Sequence, residues 1–120
     1  MKRVLVVDDK ATSRELIRTV LEKSGYAVIE AGDGCEAVQV TLDVLPDLII
    51  LDLQMPILDG FGALQLIRSD PRFADLPVVA LTANAMQGDR EKALSAGFTS
   101  YISKPVRLAL LRAELARLLS

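Results

Sequence analysis

The sequence predicts an α/β fold in which a buried parallel sheet is covered by helices on both faces. Two observations lead to this prediction. Short aliphatic runs recur along the chain, and continuous apolar runs of about four to six residues are typical of parallel strands buried on both faces. Between these runs the apolar residues follow the spacing of amphipathic helices, so that strands and helices alternate five times.

The five predicted strands differ in how apolar they are. Continuous aliphatic runs predict the first, third and fourth strands at Val4–Val7, Leu48–Leu51 and Val78–Leu81. The second strand begins at Tyr26, and its alternating pattern fits a peripheral position. The fifth, Ser100–Ser103, is more mixed. We therefore expect a doubly wound (βα)5 fold of three layers, flavodoxin-like, with a five-stranded parallel sheet in the order 2-1-3-4-5.

Helices are predicted between these strands from apolar spacing and from end signals. The first has a T-x-x-E capping box that begins at Thr12, and Gly25 follows its last turn. The other four helices are predicted at Gly34–Asp43, Gly60–Ser69, Gln87–Ser95 and Val106–Leu119. The length of 120 residues fits one domain, residues 1–120.

Composition excludes several classes of function. A formal net charge of −2 argues against a nucleic-acid-binding surface. The chain has no histidine, which excludes His-based catalysis and makes zinc improbable, and its single cysteine excludes an internal disulfide. No apolar stretch approaches the ~18 residues of a membrane span, and the N-terminus is too short for a signal peptide, so we expect a cytoplasmic domain.

Polar residues follow the predicted strands at the point where each strand ends. Asp8 and Asp9 follow the first strand, Asp52 the third, Thr82 the fourth and Lys104 the fifth. The carboxyl ends of parallel strands share one edge, where ligands of doubly wound sheets bind. Clustered carboxylates repel one another unless they take up protons or hold a cation, and Mg²⁺ suits oxygen ligands. Beside Mg²⁺, a lysine and a hydroxyl, a carboxylate can accept a phosphoryl group.

Each of these residues also has a purely structural interpretation. Aspartates are common in helix caps and turns, threonine suits strands, and a loop lysine is usually solvated. Thr12 already offers the first helix a cap, which weakens that interpretation for Asp8 and Asp9. A structural role is hardest to defend for Asp52 once the other acids are considered, because uncompensated clustered charge is disfavoured.

Four segments together resemble the receiver domain of two-component response regulators. They are VVDD (Val6–Asp9), LDLQMPILDG (Leu51–Gly60), LTAN (Leu81–Asn84) and YISKP (Tyr101–Pro105). They occur in order, with the expected spacing, over essentially the whole chain. The resemblance implies a signalling switch, not a turnover enzyme, that takes a phosphoryl group from a histidine kinase or phosphotransfer protein.

The resemblance also implies which residues hold the metal and the phosphoryl group. Asp52 would be the phosphoacceptor. Mg²⁺ would be bound by the side chains of Asp9 and Asp52, by the backbone carbonyl of Gln54, and by Asp8 mainly through water. In this family the residues at Gln54 and Asn84 flank the water that attacks the phosphoryl group. Neither is acidic, so we expect slow autodephosphorylation.

Three further residues would carry the switch that the resemblance implies. Thr82 would bond a phosphoryl oxygen and move on phosphorylation, and Lys104 would pair with the phosphate. Tyr101 would follow Thr82 inward and reshape the face made by helix 4, strand 5 and helix 5, although it would read as a packing residue without the family pattern. The Lys104–Pro105 bond would be cis.

The last helix carries two apolar stripes where a covering helix needs only one. One stripe fits the core and consists of Leu108, Leu111, Leu115, Leu118 and Leu119. The other consists of Val106, Ala109, Leu110, Ala113 and Ala116. The second stripe predicts a surface for a homodimer or a downstream protein beside Tyr101, although alanines are also simply good helix formers.

Three other functions are weighed against this one. A Mg²⁺-dependent phosphatase of the haloacid-dehalogenase class requires a second aspartate at the position of Gln54, where it acts as general acid and base. It also requires a cap domain, for which this chain has no room. A flavodoxin-like FMN carrier requires a Ser/Thr-rich phosphate loop after the first strand, and the sequence has none there. A pseudo-receiver used only for interaction fits poorly with the complete acid set. Whether the chain acts alone or within a longer protein, such as a hybrid kinase, stays open.

Overall fold

A computed structural model describes residues 1–83 and 89–119. The sheet has five parallel strands in the order β2-β1-β3-β4-β5, as the sequence predicts. Its strands are β1 (Arg3–Val7), β2 (Ala27–Ala31), β3 (Leu48–Asp52), β4 (Val78–Thr82) and β5 (Ser100–Ser103). The doubly wound (βα)5 fold is therefore confirmed.

Five helices follow the strands in alternation. They are α1 (Ala11–Lys23), α2 (Gly34–Val44), α3 (Gly60–Arg68), α4 (Asp89–Ala96) and α5 (Leu108–Leu119), with a short 3₁₀ turn at Pro71–Phe73. The last helix begins at Leu108 and not at Val106 as predicted. The predicted start of the fourth helix, Gln87, lies outside the described residues. No helix in the described part of the chain is long and apolar enough to cross a bilayer.

The central strands bury apolar side chains on both faces, which is what their continuous aliphatic runs require. Leu5 and Ile49 point to a core that α2, α3 and α4 cover. Val4 and Ile50 point to a second core, which contains Ile17 of α1 and residues of α5. Alternate residues of one strand thus serve opposite faces, as the period of a strand dictates.

The predicted capping box at Thr12 is wrong. The first helix begins at Ala11, so its N-cap is Lys10, which makes no side-chain cap hydrogen bond. Thr12 lies two residues beyond the N-cap position, so its side chain cannot cap the first turn. The Lys10 N–H instead donates to the Asp8 carboxylate at 2.9 Å. An aspartate predicted for the metal site therefore also organises the start of α1.

The two stripes predicted for the last helix differ in exposure. Leu111 and Leu115 are fully buried, as expected for the core stripe. Leu110, on the other stripe, is 56% exposed, and its neighbours Ala113 and Ala116 are also exposed. A surface cavity of about 600 Å³ lies between α5 and β5, with Leu110 in its lining.

Candidate metal centre at the carboxyl edge of the sheet

Three carboxylates from distant parts of the chain meet at one edge of the sheet. Strands β1 and β3 are adjacent, so Asp8 and Asp9, which follow β1, lie beside Asp52, the last residue of β3. Each residue offers one carboxylate oxygen, and the three oxygens lie within 4.8 Å of one another. Since Mg²⁺ binds oxygens at about 2.1 Å, this spread is close to what one shared ion requires.

Burial makes this cluster electrostatically demanding. Asp8 is fully buried and Asp52 is 3% exposed, whereas Asp9 is exposed. Lys104 Nζ donates to Asp8 Oδ2 at 3.1 Å and to Asp52 Oδ2 at 3.0 Å. In the described part of the chain, Lys104 is the only residue that forms ion pairs with these three carboxylates, so the donor set keeps excess negative charge. An all-oxygen, net-negative donor set of this kind fits Mg²⁺.

The pKa shifts at the site follow from this arrangement. Burial raises the pKa of the Asp52 carboxyl above its usual value, and hydrogen bonds from Gln54 and Lys104 oppose the rise without cancelling it. Burial lowers the pKa of Lys104, but hydrogen bonds with Asp52 and Asp8 outweigh it, so that this pKa lies above its usual value. The lysine is therefore firmly charged, and the buried carboxylate is incompletely compensated.

Asp8 is held at each of its polar groups. Its N–H donates to the Ala31 carbonyl at 3.2 Å, and its carboxylate accepts hydrogen bonds from the Lys10 N–H and from Lys104 Nζ. Its main-chain carbonyl accepts a hydrogen bond from Arg14 Nη1 at 2.6 Å. The main chain and the side chain of this acid are thus both fixed by the surrounding structure.

Arg14 and its partner Glu30 also belong to the surroundings of this site, and neither was predicted from the sequence. Arg14 Nε donates to Glu30 Oε1 at 3.0 Å, which links β2 to the backbone of Asp8 through α1. The available signal was Glu30 itself, the only charged residue within β2. A charged side chain on a covered strand needs a partner from the covering helix.

The main chain around Asp52 is also constrained. The Gln54 N–H donates to Asp52 Oδ1 at 3.0 Å, while the Gln54 side chain is exposed. A side chain at Gly60 would collide with the Asp52 carbonyl oxygen. Glycine therefore allows the first turn of α3 to pack against the end of β3. The metal-binding role of the Gln54 carbonyl stays a prediction.

The remaining predicted residues lie on the neighbouring strands. Thr82 ends β4 and is 1% exposed, and its carbonyl accepts a hydrogen bond from the Lys104 N–H at 2.7 Å. Tyr101 of β5 is half-buried, packs against the core beneath α3 and α4, and lines the 600 Å³ cavity. The bond between Lys104 and Pro105 is cis, as the resemblance implies. Asn84 lies outside the described residues.

Comparison with known proteins identifies relatives over nearly the full chain. The family model described as the response regulator receiver domain matches residues 4–116. The polar-differentiation response regulator DivK of Brucella anthropi is 37% identical over 105 residues, which cover 88% of this chain and 85% of DivK.

Solved structures give the same result at the level of coordinates. The receiver domain of the sensor histidine kinase PA1611 from Pseudomonas aeruginosa PAO1 is 38% identical, with a TM-score of 0.90 over 99% of this chain and 98% of that one. That structure has a magnesium ion coordinated in its active-site cleft. The chemotaxis response regulator CheY4 of Vibrio cholerae is 30% identical, with a TM-score of 0.92 over 98% of both chains.

Proposed function

The chain belongs to the response regulator receiver domain family, and from this premise we propose that it is a Mg²⁺-dependent phosphoacceptor switch phosphorylated on Asp52. Receiver domains of this family are switches in two-component signalling. The observation that carries the proposal is the convergence of three carboxylates within 4.8 Å, with Lys104 bonded to two of them. Buried negative charge that the chain leaves uncompensated favours a bound cation.

The proposed reaction transfers a phosphoryl group from phosphohistidine on a histidine kinase or phosphotransfer protein. A carboxylate oxygen of Asp52 attacks phosphorus, the P–N bond breaks, and the departing imidazole nitrogen takes up a proton. Asp9, Asp52 and the Gln54 carbonyl would hold Mg²⁺ directly, and Asp8 would act mainly through water. When bound, Mg²⁺ neutralises charge on the phosphoryl oxygens.

Lys104 and Thr82 are proposed to recognise the transferred group. Lys104 Nζ lies 3.0 Å from Asp52 Oδ2, so it can exchange a carboxylate oxygen for a phosphoryl oxygen with little movement. Thr82 ends the strand next to β3, where its hydroxyl can be drawn toward the new anion. Because the Thr82 carbonyl is bonded to the Lys104 N–H, both residues belong to one connected edge of the sheet.

The output is proposed to pass through the face made by α4, β5 and α5. Tyr101 is half-buried beside a 600 Å³ cavity, which leaves room for a change in its position. The exposed Leu110 lies on the same cavity and offers apolar area to a second copy or a downstream protein. Substituting Leu110→Glu should weaken that association. Unchanged self-association and partner binding would remove this part of the proposal.

Phosphorylation of Asp52 is tested with acetyl phosphate and Mg²⁺, followed by intact-mass measurement. We expect wild type to gain one phosphoryl group and Asp52→Asn to gain none. Asp59→Asn is a matched control, because Asp59 is exposed and accepts the Gly62 N–H as the cap of α3. Modification of Asp52→Asn to the wild-type extent would contradict the proposal.

The same experiment addresses lifetime and the alternative functions. We expect the phosphorylated protein to persist for longer than about one second in Mg²⁺ buffer, because the exposed Gln54 supplies no general base. Turnover of an aryl phosphate would favour the phosphatase. Failure of any phosphoryl gain would favour the pseudo-receiver. The family match argues against the FMN carrier. A single domain, and the cytoplasm as its location, remain part of the proposal.

A further inference from the structure

We propose that Arg14 is a positioning residue for the metal centre, and that Glu30 holds Arg14 in place for this task. The inference rests on the proposed function, since it concerns how the acids that would bind Mg²⁺ are oriented. It assigns a role to a hydrogen-bond chain that runs from β2 through α1 to the end of β1. Neither Arg14 nor Glu30 belongs to the proposed metal ligand set.

The first link of this chain acts on the peptide between the two acids. Arg14 Nη1 donates to the main-chain carbonyl of Asp8 at 2.6 Å. That carbonyl lies in the same rigid plane as the N–H and Cα of Asp9, because the peptide unit is planar. A hydrogen bond at this oxygen therefore limits rotation of the unit that carries Asp9. The Asp9 residue is exposed, so its direction depends largely on its backbone.

The second link fixes Arg14 itself. Arg14 Nε donates to Glu30 Oε1 at 3.0 Å, and Arg18 Nη1 donates to Glu30 Oε2 at 2.7 Å. The Arg14 and Glu30 side chains are only 20% and 27% exposed. A guanidinium is planar with its donors at fixed angles, so a bond at Nε determines where Nη1 points. Glu30 is itself placed by β2, where it pairs in register with Val6 of β1.

Charge alone predicts the opposite effect of Arg14 on metal binding. A guanidinium hydrogen-bonded to the Asp8 backbone places positive charge beside the acid cluster, which repels a cation. Glu30 offsets part of that repulsion. Removing Arg14 would therefore tighten Mg²⁺ binding if charge dominated and weaken it if positioning dominated. The sign of the change separates the two explanations.

The test is a calorimetric titration of the unphosphorylated protein with MgCl₂. For Arg14→Met we expect the Kd to rise about tenfold, which is typical when a residue that orients a metal ligand is lost. Arg14→Lys keeps the charge but not the planar fork, and we expect a comparable loss. Arg72→Met is the matched control. Arg72 is exposed, and among the described residues its guanidinium forms an ion pair with one acid, Asp70. Its Kd should equal that of wild type.

A second variant covers the case in which Arg14→Met does not fold. Glu30→Ala leaves Arg14 present but removes the acceptor at Nε. Loss of the Glu30 charge would by itself weaken Mg²⁺ binding, so the deciding readout for this variant is the amide resonance of Asp9 without metal, and an unshifted resonance would overturn the positioning role. Amide NMR spectra without metal should show the Asp9 resonance shifted in both variants. This readout needs no bound ion.

The outcomes separate this inference from the proposed function. If wild type binds Mg²⁺ and the Arg14 and Glu30 variants bind it equally well or more tightly, the positioning role is overturned and the proposed function survives. If wild type binds no Mg²⁺, the proposed function fails and the inference fails with it. An Arg72→Met variant as weak as Arg14→Met would also overturn the positioning role, since the effect would then not depend on the Asp8 backbone.

Discussion

Two charged clusters in this fold, one around Asp52 and one around Arg68, are compensated in different ways. At the carboxyl edge of the sheet, the carboxylates of Asp8, Asp9 and Asp52 have one ion-pair partner among the described residues, Lys104, so the cluster keeps excess negative charge. At the C-terminal end of α3, the half-buried Arg68 forms no ion pair among the described residues, although the charge of Asp75 acts on it, and its guanidinium donates hydrogen bonds to main-chain carbonyls. The acid cluster therefore keeps uncompensated negative charge, whereas the guanidinium of Arg68 has its hydrogen-bond acceptors.

Main-chain carbonyls complete the second cluster. Arg68 Nη1 donates to the carbonyls of Phe73 and Leu76 at 2.7 and 2.6 Å, and Nη2 donates to the Gly97 carbonyl at 2.9 Å. These bonds join α3 to the turn before β4 and to the end of α4. Burial lowers the pKa of Arg68, but an arginine stays charged in any case. The comparison teaches that a structural charge is satisfied by the chain, whereas the proposed functional cluster leaves charge for a ligand.

Removing the Arg68 guanidinium should give the largest change in stability. Arg68→Met removes hydrogen bonds from a charged donor and leaves three carbonyls without it, so we expect the free energy of unfolding to fall by about 3 kcal/mol. The measurement is urea denaturation. Arg72→Met, which removes an exposed ion pair with Asp70 and a contact with the Phe73 ring, should lower the stability by no more than about 1 kcal/mol. Equal stabilities for Arg68→Met and wild type would show that the carbonyl contacts add nothing.

Binding of Mg²⁺ at the acid cluster should give the next largest change in the free energy of unfolding. Mg²⁺ at about 100 times its Kd should raise the free energy of unfolding of wild type by about 2.7 kcal/mol. Arg68→Met should gain the same increment from its lower baseline, because its contacts are remote from the acids. Asp9→Asn should gain much less. If the three proteins gained equally in Mg²⁺ titrations followed by urea denaturation, the ion would not be binding at the acids.

The acid cluster could be predicted from the sequence far better than the hydrogen bonds of Arg68. Aspartates and a lysine at strand ends carry a signal, because parallel strands bring their carboxyl ends together. Arg68 carries none, since its partners are backbone carbonyls that any sequence possesses. The contact between Arg14 and Asp8 was missed for the same reason. Buried aliphatic runs predicted parallel strands covered on both faces, and the flavodoxin-like fold class predicted their order. The start of α1 was predicted wrongly, because the N-cap is Lys10 and Thr12 lies inside the helix.

Removing one charge from the acid cluster should stabilise the protein when no metal is present. Asp52→Asn deletes a buried carboxylate whose pKa is raised mainly by burial, so we expect a gain of about 1 kcal/mol at neutral pH. Asp8 keeps its bond to Lys104 in this variant.

The pH dependence follows from the direction of the shift. As the pH falls through the raised pKa, folded Asp52 takes up a proton before the unfolded carboxyl does, so the penalty in wild type disappears. The advantage of Asp52→Asn should therefore shrink on acidification, from the folded pKa down to the usual value. An advantage that grows in acid would contradict the raised pKa. Urea denaturation across this range, with chelator present, makes the measurement.

The smallest effect concerns strain in the loop that follows the acid cluster. Ile57 lies between Asp52 and α3 with a φ of 70°, and its side chain is 93% exposed. A β-branched residue pays a steric penalty in this left-handed region, whereas asparagine tolerates it. Because the exposed side chain contributes little packing, Ile57→Asn should raise the free energy of unfolding by roughly 0.5 to 1 kcal/mol.

A matched variant separates strain from side-chain chemistry at this position. Ile57→Val keeps the β-branch and should therefore bring no gain. Since the Ile57 side chain projects into solvent, neither variant should change the Kd for Mg²⁺. A stabilised Ile57→Asn with weaker Mg²⁺ binding would show that the loop geometry is shared with the acid cluster. The acid cluster would then differ from the Arg68 cluster in two respects, because it would maintain backbone strain beside Asp52 as well as uncompensated charge.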